Sequence, residues 1–190
     1  MAWDVFFSYP RADRVAAGRL YEKLCALDLA VFLDEADIRD TAAISATITG
    51  ALAESRLLVA WYSEPYGRSR ACQWELTAAW LAGAAEGAAT GRLMVVNPLG
   101  SLAHIPEMLR TALVLPGQDE AALEAAAARI RAHLDTPSEP MGTVAALAGG
   151  PWYGPRRGSS PRFVGRMTEM WTVHGILATS RDETALLGMG

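Results

Sequence analysis

Residues 56–80 read RLLVAWYSEPYGRSRACQWELTAAW: an apolar run, a turn carrying Pro65 and Gly67, and a periodic stretch opened by Ser69. The run RLLVAWYS, residues 56–63, is short and strongly apolar, which predicts a strand buried on both faces of a sheet. From Ser69 onward the period changes. Cys72, Leu76, Ala79, Trp80 and Gly83 recur at three-and-four spacing, so the segment predicts a helix with Ser69 as its N-cap. Glu75 lies beside that stripe, and the positions three and four away hold Ala71, Cys72, Ala78 and Ala79. No Lys or Arg therefore stands at the spacing that stabilises surface carboxylates. Two readings stay open at this point: a solvated carboxylate on a helix shoulder, or one that faces a cleft or a ligand.

The alternation of strand and helix continues on either side. WDVFFS, residues 3–8, predicts a first buried strand ended by Tyr9-Pro10, and Ala17, Leu20, Tyr21, Leu24 and Leu27 make the stripe of an amphipathic helix, with Arg14, Arg19 and Lys23 at polar positions. LAVFL, residues 29–33, predicts a second strand and runs into the polar loop DEADIRDT, residues 34–41. Ile44, Ile48, Ala51 and Leu52 repeat at helical spacing behind a cap at Asp40 or Thr41. Downstream, the helix of Glu75 fades in the Ala/Gly-rich stretch GAAEGAATG, after which GRLMVVNP and TALVLP predict a fourth and a fifth strand around a short IPEMLR turn or helix. DEAALEAAAARIRAHL predicts a final helix starting near Asp119.

Strands joined by helices of this length need right-handed crossovers, so the expected class is α/β: a flavodoxin-like, doubly wound, five-stranded parallel sheet of order 2-1-3-4-5 with helices on both faces. Ligands of such sheets bind outside the carboxyl ends of the strands, where the order reverses between strands 1 and 3. That rule brings residues 8–14, the turn after strand 3 and the helix of Glu75 together. The loop beginning at Asp34 lies alongside.

The chain has 190 residues, 51% of them hydrophobic, enough for one full domain and a remainder. A net charge of -4 and a pI near 5.4 give no general attraction for nucleic acid or for an anionic membrane. The cluster Arg156, Arg157 and Arg162 lies in or beside a Pro/Gly/Ser-rich stretch, residues 136–161, that reads as a linker, and there it reads as a solvated tether. Cys25 and Cys72 both fall on predicted buried helix faces and are expected as reduced core thiols. With no secretory leader pattern and no apolar run of the ~18 residues a membrane span needs, the expected location is cytoplasmic.

Several chemistries lack their marks. His104, His133 and His174 are far apart without a Cys or carboxylate at ligand spacing, so no metal site is expected, and neither a GxSxG elbow nor a complete GxGxxG occurs. One carboxylate at a switch-point crevice remains. Cleaving an N-glycosidic bond to a pyridinium releases a neutral base, so the leaving group needs no general acid, unlike the sugar oxygen of an ordinary glycoside. A single carboxylate can then act by binding ribose hydroxyls and stabilising the oxocarbenium-like charge at the anomeric carbon.

Over roughly residues 2–135 the chain resembles the Toll/interleukin receptor (TIR) domain family. WDVFFSYPRADR is similar to the family's first box, a DVFISY-type strand followed by a charged loop. LAVFLDEADIRDTAAISATITGALAESRLLVAWYSEPY is similar to the second strand, BB loop and third strand in order and spacing, and SRACQWEL to the SxWCxxEL motif of catalytic members. The resemblance implies a flavodoxin-like fold and, for many bacterial and plant members, cleavage of NAD to nicotinamide and ADP-ribose or a cyclic ADP-ribose. Carried over position by position, it implies Glu75 as the catalytic glutamate, with Phe7, Ser8, Arg11, Asp34, Cys72 and Trp74 as substrate-binding residues. NAD is then the substrate, and no separate cofactor or metal is implied. The BB loop, residues 34–41, is implied as a surface for TIR-TIR self-association. Two positions depart from the family pattern: the motif Trp is Ala71, with Trp74 nearby on a different helical azimuth, and the usual BB-loop Gly is Thr41.

The tail resembles a second family. FVGRMTEMWTVHGIL is similar to the FVGR-type opening of STAND-class signal-transduction NTPases, and ETALLGMG to their strand and the first half of a P-loop. The expected organisation is a TIR domain at 1–135, a linker at 136–161 and the start of a STAND module at 162–190, the N-terminal portion of a longer immune or antiphage signalling protein. Without the P-loop Lys and the Mg-binding hydroxyl, this portion is not expected to hydrolyse nucleoside triphosphates. The expected function is a NAD-cleaving effector activated by self-association. The alternatives are a non-catalytic TIR-TIR interaction module, favoured by Ala71, and a nucleoside deoxyribosyltransferase-like enzyme.

Overall fold

The computed structural model describes residues 2–33 and 41–142, with residues 41–46 by backbone only. Asp34, the rest of the polar loop up to Asp40, and residues 143–190, where the rest of the linker and the start of a STAND module are expected, lie outside the described residues. Along the chain run β1 (Trp3–Ser8), α1 (Arg14–Ala26), β2 (Val31–Leu33), α2 (Thr41–Ala53), β3 (Ser55–Trp61), α3 (Arg70–Ala85), β4 (Leu93–Asn97), β5 (Leu113–Pro116) and α4 (Glu120–Leu134). The five strands form one parallel sheet in the order β2-β1-β3-β4-β5, as the alternation predicts.

The sheet is apolar on both faces because helices cover both. Side chains alternate along each strand, so Phe6, Leu58, Ala60 and Val95 join Ile48 of α2 and Leu76 and Trp80 of α3 on one face. Val5, Phe7, Val59 and Val96 join Leu20 and Leu24 of α1 and Ile130 of α4 on the other. Capping follows the sequence. Ser69 Oγ accepts from the Cys72 N–H at 3.3 Å, and Asp119 Oδ1 accepts from the Ala122 N–H at 2.8 Å at the start of α4.

Two expectations on the helices change. Cys25 is exposed, because α1 buries Ala17, Leu20 and Leu24 and the residue after Leu24 is turned about 100° away from them. Leu27, expected in the same stripe, is the C-cap residue and is exposed. In α3 the expected single stripe widens to almost the whole circumference: from Cys72 to Ala84 every residue except Trp74 is buried. From Cys72 onward the helix has little solvent face to offer, Gln73, Glu75 and Thr77 being buried with its apolar residues, and the cluster around α3 also takes in Ile105 and Leu109.

Beyond α4, residues 135–142 run back beneath the amino ends of the strands. Arg56 donates to the carbonyls of Leu134 at 2.8 Å, Thr136 at 3.1 Å and Ser138 at 3.1 Å, while Arg92 donates to that of Glu139 at 2.7 Å. The Met141 and Gly142 N–H groups bond the carbonyls of Ser55 and Ala53, each at 2.8 Å. The first residues of the Pro/Ser-rich stretch are therefore a strap bound to the domain.

Candidate active site

β1 and β3 pair with Ser8 opposite Ala60, so their carboxyl ends open side by side at the point where strand order reverses. Beyond β1 the chain makes a short 3-10 turn, Arg11–Asp13; beyond β3 it passes Tyr62 and Ser63 into another, Tyr66–Arg68, and then into α3. Ser63 donates a short hydrogen bond to Asp13, tying the two loops together.

Glu75 is 4% exposed, which removes the solvated-shoulder reading. Its Oε2 accepts from Ser8 Oγ at 2.5 Å. Ser8 Oγ also lies 2.7 Å from the Tyr66 hydroxyl, and that hydroxyl lies 3.3 Å from the Cys72 carbonyl oxygen. Tyr66 is fully buried and packs on Tyr62 with ring centroids 4.6 Å apart. Gln73 Nε2 donates to the Tyr66 carbonyl at 3.2 Å, and a His104 ring nitrogen lies 2.8 Å from the Tyr62 carbonyl.

The electrostatics follow from burial. Burial first, then the neighbouring acidic groups Cys72 and Glu75, holds the Tyr66 phenol well above its ordinary range. Burial, then the Glu75 charge, pushes the Cys72 thiol up to about 12. Both stay protonated at neutral pH. Cys72 is thus a neutral wall and not a nucleophile. Among the described residues, Ser8, Tyr66 and Cys72 stand beside Glu75 as neutral groups, a setting suited to facing a developing positive charge rather than to acyl transfer.

The structure gathers Glu75, Ser8 and Cys72 of the residues named from sequence. Arg11 is exposed on the 3-10 turn after β1. Trp74 is half-buried and packs against the α2/α3 core, so it is adjacent to Glu75 in sequence but turned about 100° around the helix. Phe7 does not line the crevice: strand parity sends its fully buried ring to the opposite face, among the α1/α4 core and Tyr9. Ala71, one turn before Glu75, is exposed. Tyr66, Asp13 and Ser63 are the additions. Tyr66 carried one usable signal, an aromatic ring inside a turn that leads directly to the Ser69 cap.

Among the described residues no group of His, Cys, Asp and Glu could hold a metal, and no helix is long and apolar enough to cross a membrane. Cavities of about 440 and 250 Å³ do occur, but at the amino ends of the strands, where the strap crosses Arg56 and Arg92. Their guanidinium donors are already spent on the strap, Asp4 and Glu86, so the chemistry is better sought at Glu75.

No curated protein matches the chain. Among solved structures, the TIR domain of the Toll-related receptor TRR-2 from Hydra magnipapillata is similar in fold, at 15% identity and a TM-score of 0.54, over 71% of this chain and 100% of that one. The TIR domains of the activated Roq1 resistosome align at 20% identity and a TM-score of 0.43, over 71% of this chain and 74% of theirs. The family model of the TIR domain matches residues 5–129, from within β1 to within α4, and so takes in all five strands of the sheet in whole or in part. By this match, the chain belongs to the TIR-domain family.

Proposed function

We propose that this TIR domain cleaves NAD, with Glu75 as its catalytic carboxylate. The observation that carries the reading is the buried Glu75 carboxylate, oriented by Ser8 at the switch point between β1 and β3. The family includes NAD-cleaving enzymes as well as TIR-TIR signalling modules. In the reaction, the bond between the ribose anomeric carbon and the pyridinium nitrogen breaks and its electron pair leaves with nicotinamide as a neutral base. Glu75 faces the oxocarbenium-like charge left on the ribose and binds its hydroxyls. Water then adds at the anomeric carbon and loses its proton, giving ADP-ribose, or an adenine nitrogen adds and gives a cyclic product.

Activity depends on self-association, with the BB loop of one copy beside the crevice of another, in the cytoplasm. The STAND-like tail fits a longer immune-type signalling protein in which a downstream region controls that clustering. A second reading rests on Ala71: without the motif aromatic, the domain acts as a TIR-TIR interaction module and Glu75 is structural.

The test incubates concentrated protein with NAD, dispersed and clustered, and quantifies nicotinamide by chromatography beside Glu75→Gln and Glu75→Ala. Release that needs clustering and disappears in both variants is expected. Equal release from the variants, or none from folded, clustered wild type, overturns the assignment and favours the interaction module.

A further inference from the structure

We infer that Tyr66 is a positioning residue for Glu75, acting through the Ser8 hydroxyl; the inference rests on the proposed role of Glu75. The order of donors follows from proton counting. In the ionised form that the proposed reaction uses, the Glu75 carboxylate can only accept, so the 2.5 Å contact consumes the single proton of Ser8. Ser8 Oγ must then accept across its 2.7 Å contact, and the Tyr66 hydroxyl is the donor. The phenol's other acceptor, the Cys72 carbonyl, is farther away at 3.3 Å. Burial keeps that phenol protonated, so the donor is always present.

The geometry is anchored at both ends. Tyr66 is fully buried against Tyr62, its N–H bonds the Ser63 carbonyl at 3.1 Å, and its own carbonyl accepts from Gln73 at 3.2 Å. Ser8 is the last residue of β1 and is held in register with Ala60. A serine hydroxyl normally rotates freely to suit its neighbours. Here the phenol fixes the oxygen from one side and thereby aims its proton at Oε2, holding the carboxylate plane before substrate arrives. Such preorganisation acts on the chemical step more than on substrate binding.

The experiment uses the full chain, clustered as above, in four forms: wild type, Tyr66→Phe, Ser8→Ala and the double variant. Phenylalanine keeps the ring and its packing and removes only the donor. The expected result is a kcat lowered roughly tenfold in Tyr66→Phe with KM within about twofold, and a double variant no slower than Ser8→Ala alone. The acid limb of kcat moves to higher pH in both single variants, because the carboxylate has lost hydrogen-bond support. A purely structural role predicts losses that add, with no movement of the acid limb. Wild-type kcat in Tyr66→Phe, or full additivity, overturns the inference.

A readout independent of catalysis separates this from the fate of the NAD reading. With glutamate side-chain carboxyls labelled with carbon-13, the Glu75 titration midpoint is expected to rise in Tyr66→Phe and in Ser8→Ala, whether or not NAD is cleaved. Replacing Tyr66 with 3-fluorotyrosine keeps the fold-bearing ring, sharpens the donor and is expected to lower the midpoint. A midpoint that both replacements leave unchanged sinks the inference, whereas an active Glu75→Gln sinks only the catalytic assignment.

Discussion

Removing the Arg92 side chain takes away one of the strap's ties to the domain, the bond to the Glu139 carbonyl, and the cost can be built from the contacts it makes. Arg92 is 8% exposed and stands just before β4. Its Nη1 donates to the Arg56 carbonyl at 3.0 Å and the Glu139 carbonyl at 2.7 Å, and its Nε and Nη2 grip both oxygens of Glu86 at 2.8 and 2.6 Å. Glu86 is 49% exposed, so that pair is screened and is worth at most about 1 kcal/mol. Each hydrogen bond from a charged donor to a carbonyl is worth ~1.5 kcal/mol or somewhat more, which brings Arg92→Ala to about 3 kcal/mol. At ~3 °C per kcal/mol for a domain of this size, Tm falls by roughly 9 °C. Arg92→Lys keeps the charge but cannot span both sides, and loses about half as much.

Thermal unfolding by circular dichroism measures this, and pH supplies a signed control. The Arg92 hydrogen bonds, then its charge, hold the Glu86 carboxyl below its ordinary 4.5 against an opposing effect of burial. A depressed carboxyl contributes stability that is present above the unfolded value and lost as pH falls through the folded one. The gap between wild type and Arg92→Ala therefore narrows below pH 4.5. A chain ending at Asp135 has no Glu139 carbonyl to hold, so the same substitution costs less there. A Tm within about 2 °C of wild type, or an equal cost with and without the strap, refutes the reasoning.

Two further outcomes concern titratable groups. The exposed Cys25 thiol reacts within minutes with a disulfide reagent at pH 8, while Cys72, buried and pushed up to about 12, reacts only on unfolding; two fast thiols in the folded chain would contradict this. Burial, and then the charges of Arg56, Arg129 and Arg92, hold His133 below its ordinary 6.5, so the unfolded chain takes up the proton first and stability falls as pH drops through 6.5. His133→Gln flattens that slope in urea midpoints between pH 7 and 5, and an unchanged slope would remove the histidine from the account.

The sheet was legible because its strands are short apolar runs bounded by turn residues, and even the edge strand in TALVLP, where only Ala112 and Leu115 are buried, could be placed from six residues. Glu75 was singled out for a different reason: its helix pattern alone left it open between a solvated and a cleft-facing carboxylate, and the switch-point rule and the SRACQWEL resemblance pointed to it. Phe7 shows the cost of reading a motif as a block. Strand parity alone puts Phe6 and Ser8 on one face and Phe7 on the other, and only the first pair belongs with Glu75. Tyr66 was legible only as an aromatic ring in the turn before the Ser69 cap, since a tyrosine in a polar turn looks like surface until the helix that buries it is in place. The strap escaped for a deeper reason. Arg56 and Arg92 hold it by backbone carbonyls, which every residue possesses, so a Pro/Ser-rich composition that suggests a free tether says nothing against it.

On the proposed reading, what the described residues around Glu75 offer NAD is charge and orientation, and Tyr62, Tyr66 and Trp74 build no open aromatic face there. Tyr62 and Tyr66 are buried, Trp74 rests on the core, and the exposed position one turn before Glu75 is an alanine. Stacking on a nicotinamide or adenine ring is worth ~1–3 kcal/mol, a factor of roughly five to 150 in affinity. If a neighbouring copy supplies that surface, clustering lowers KM; if clustering only orders the crevice around Glu75, it raises kcat at constant KM. Ala71→Trp separates the two. Restoring the aromatic should tighten NAD binding to dispersed protein, read as a Kd, and lower KM in clustered protein, while an unchanged Kd and KM would mean that the alanine removes nothing the reaction uses.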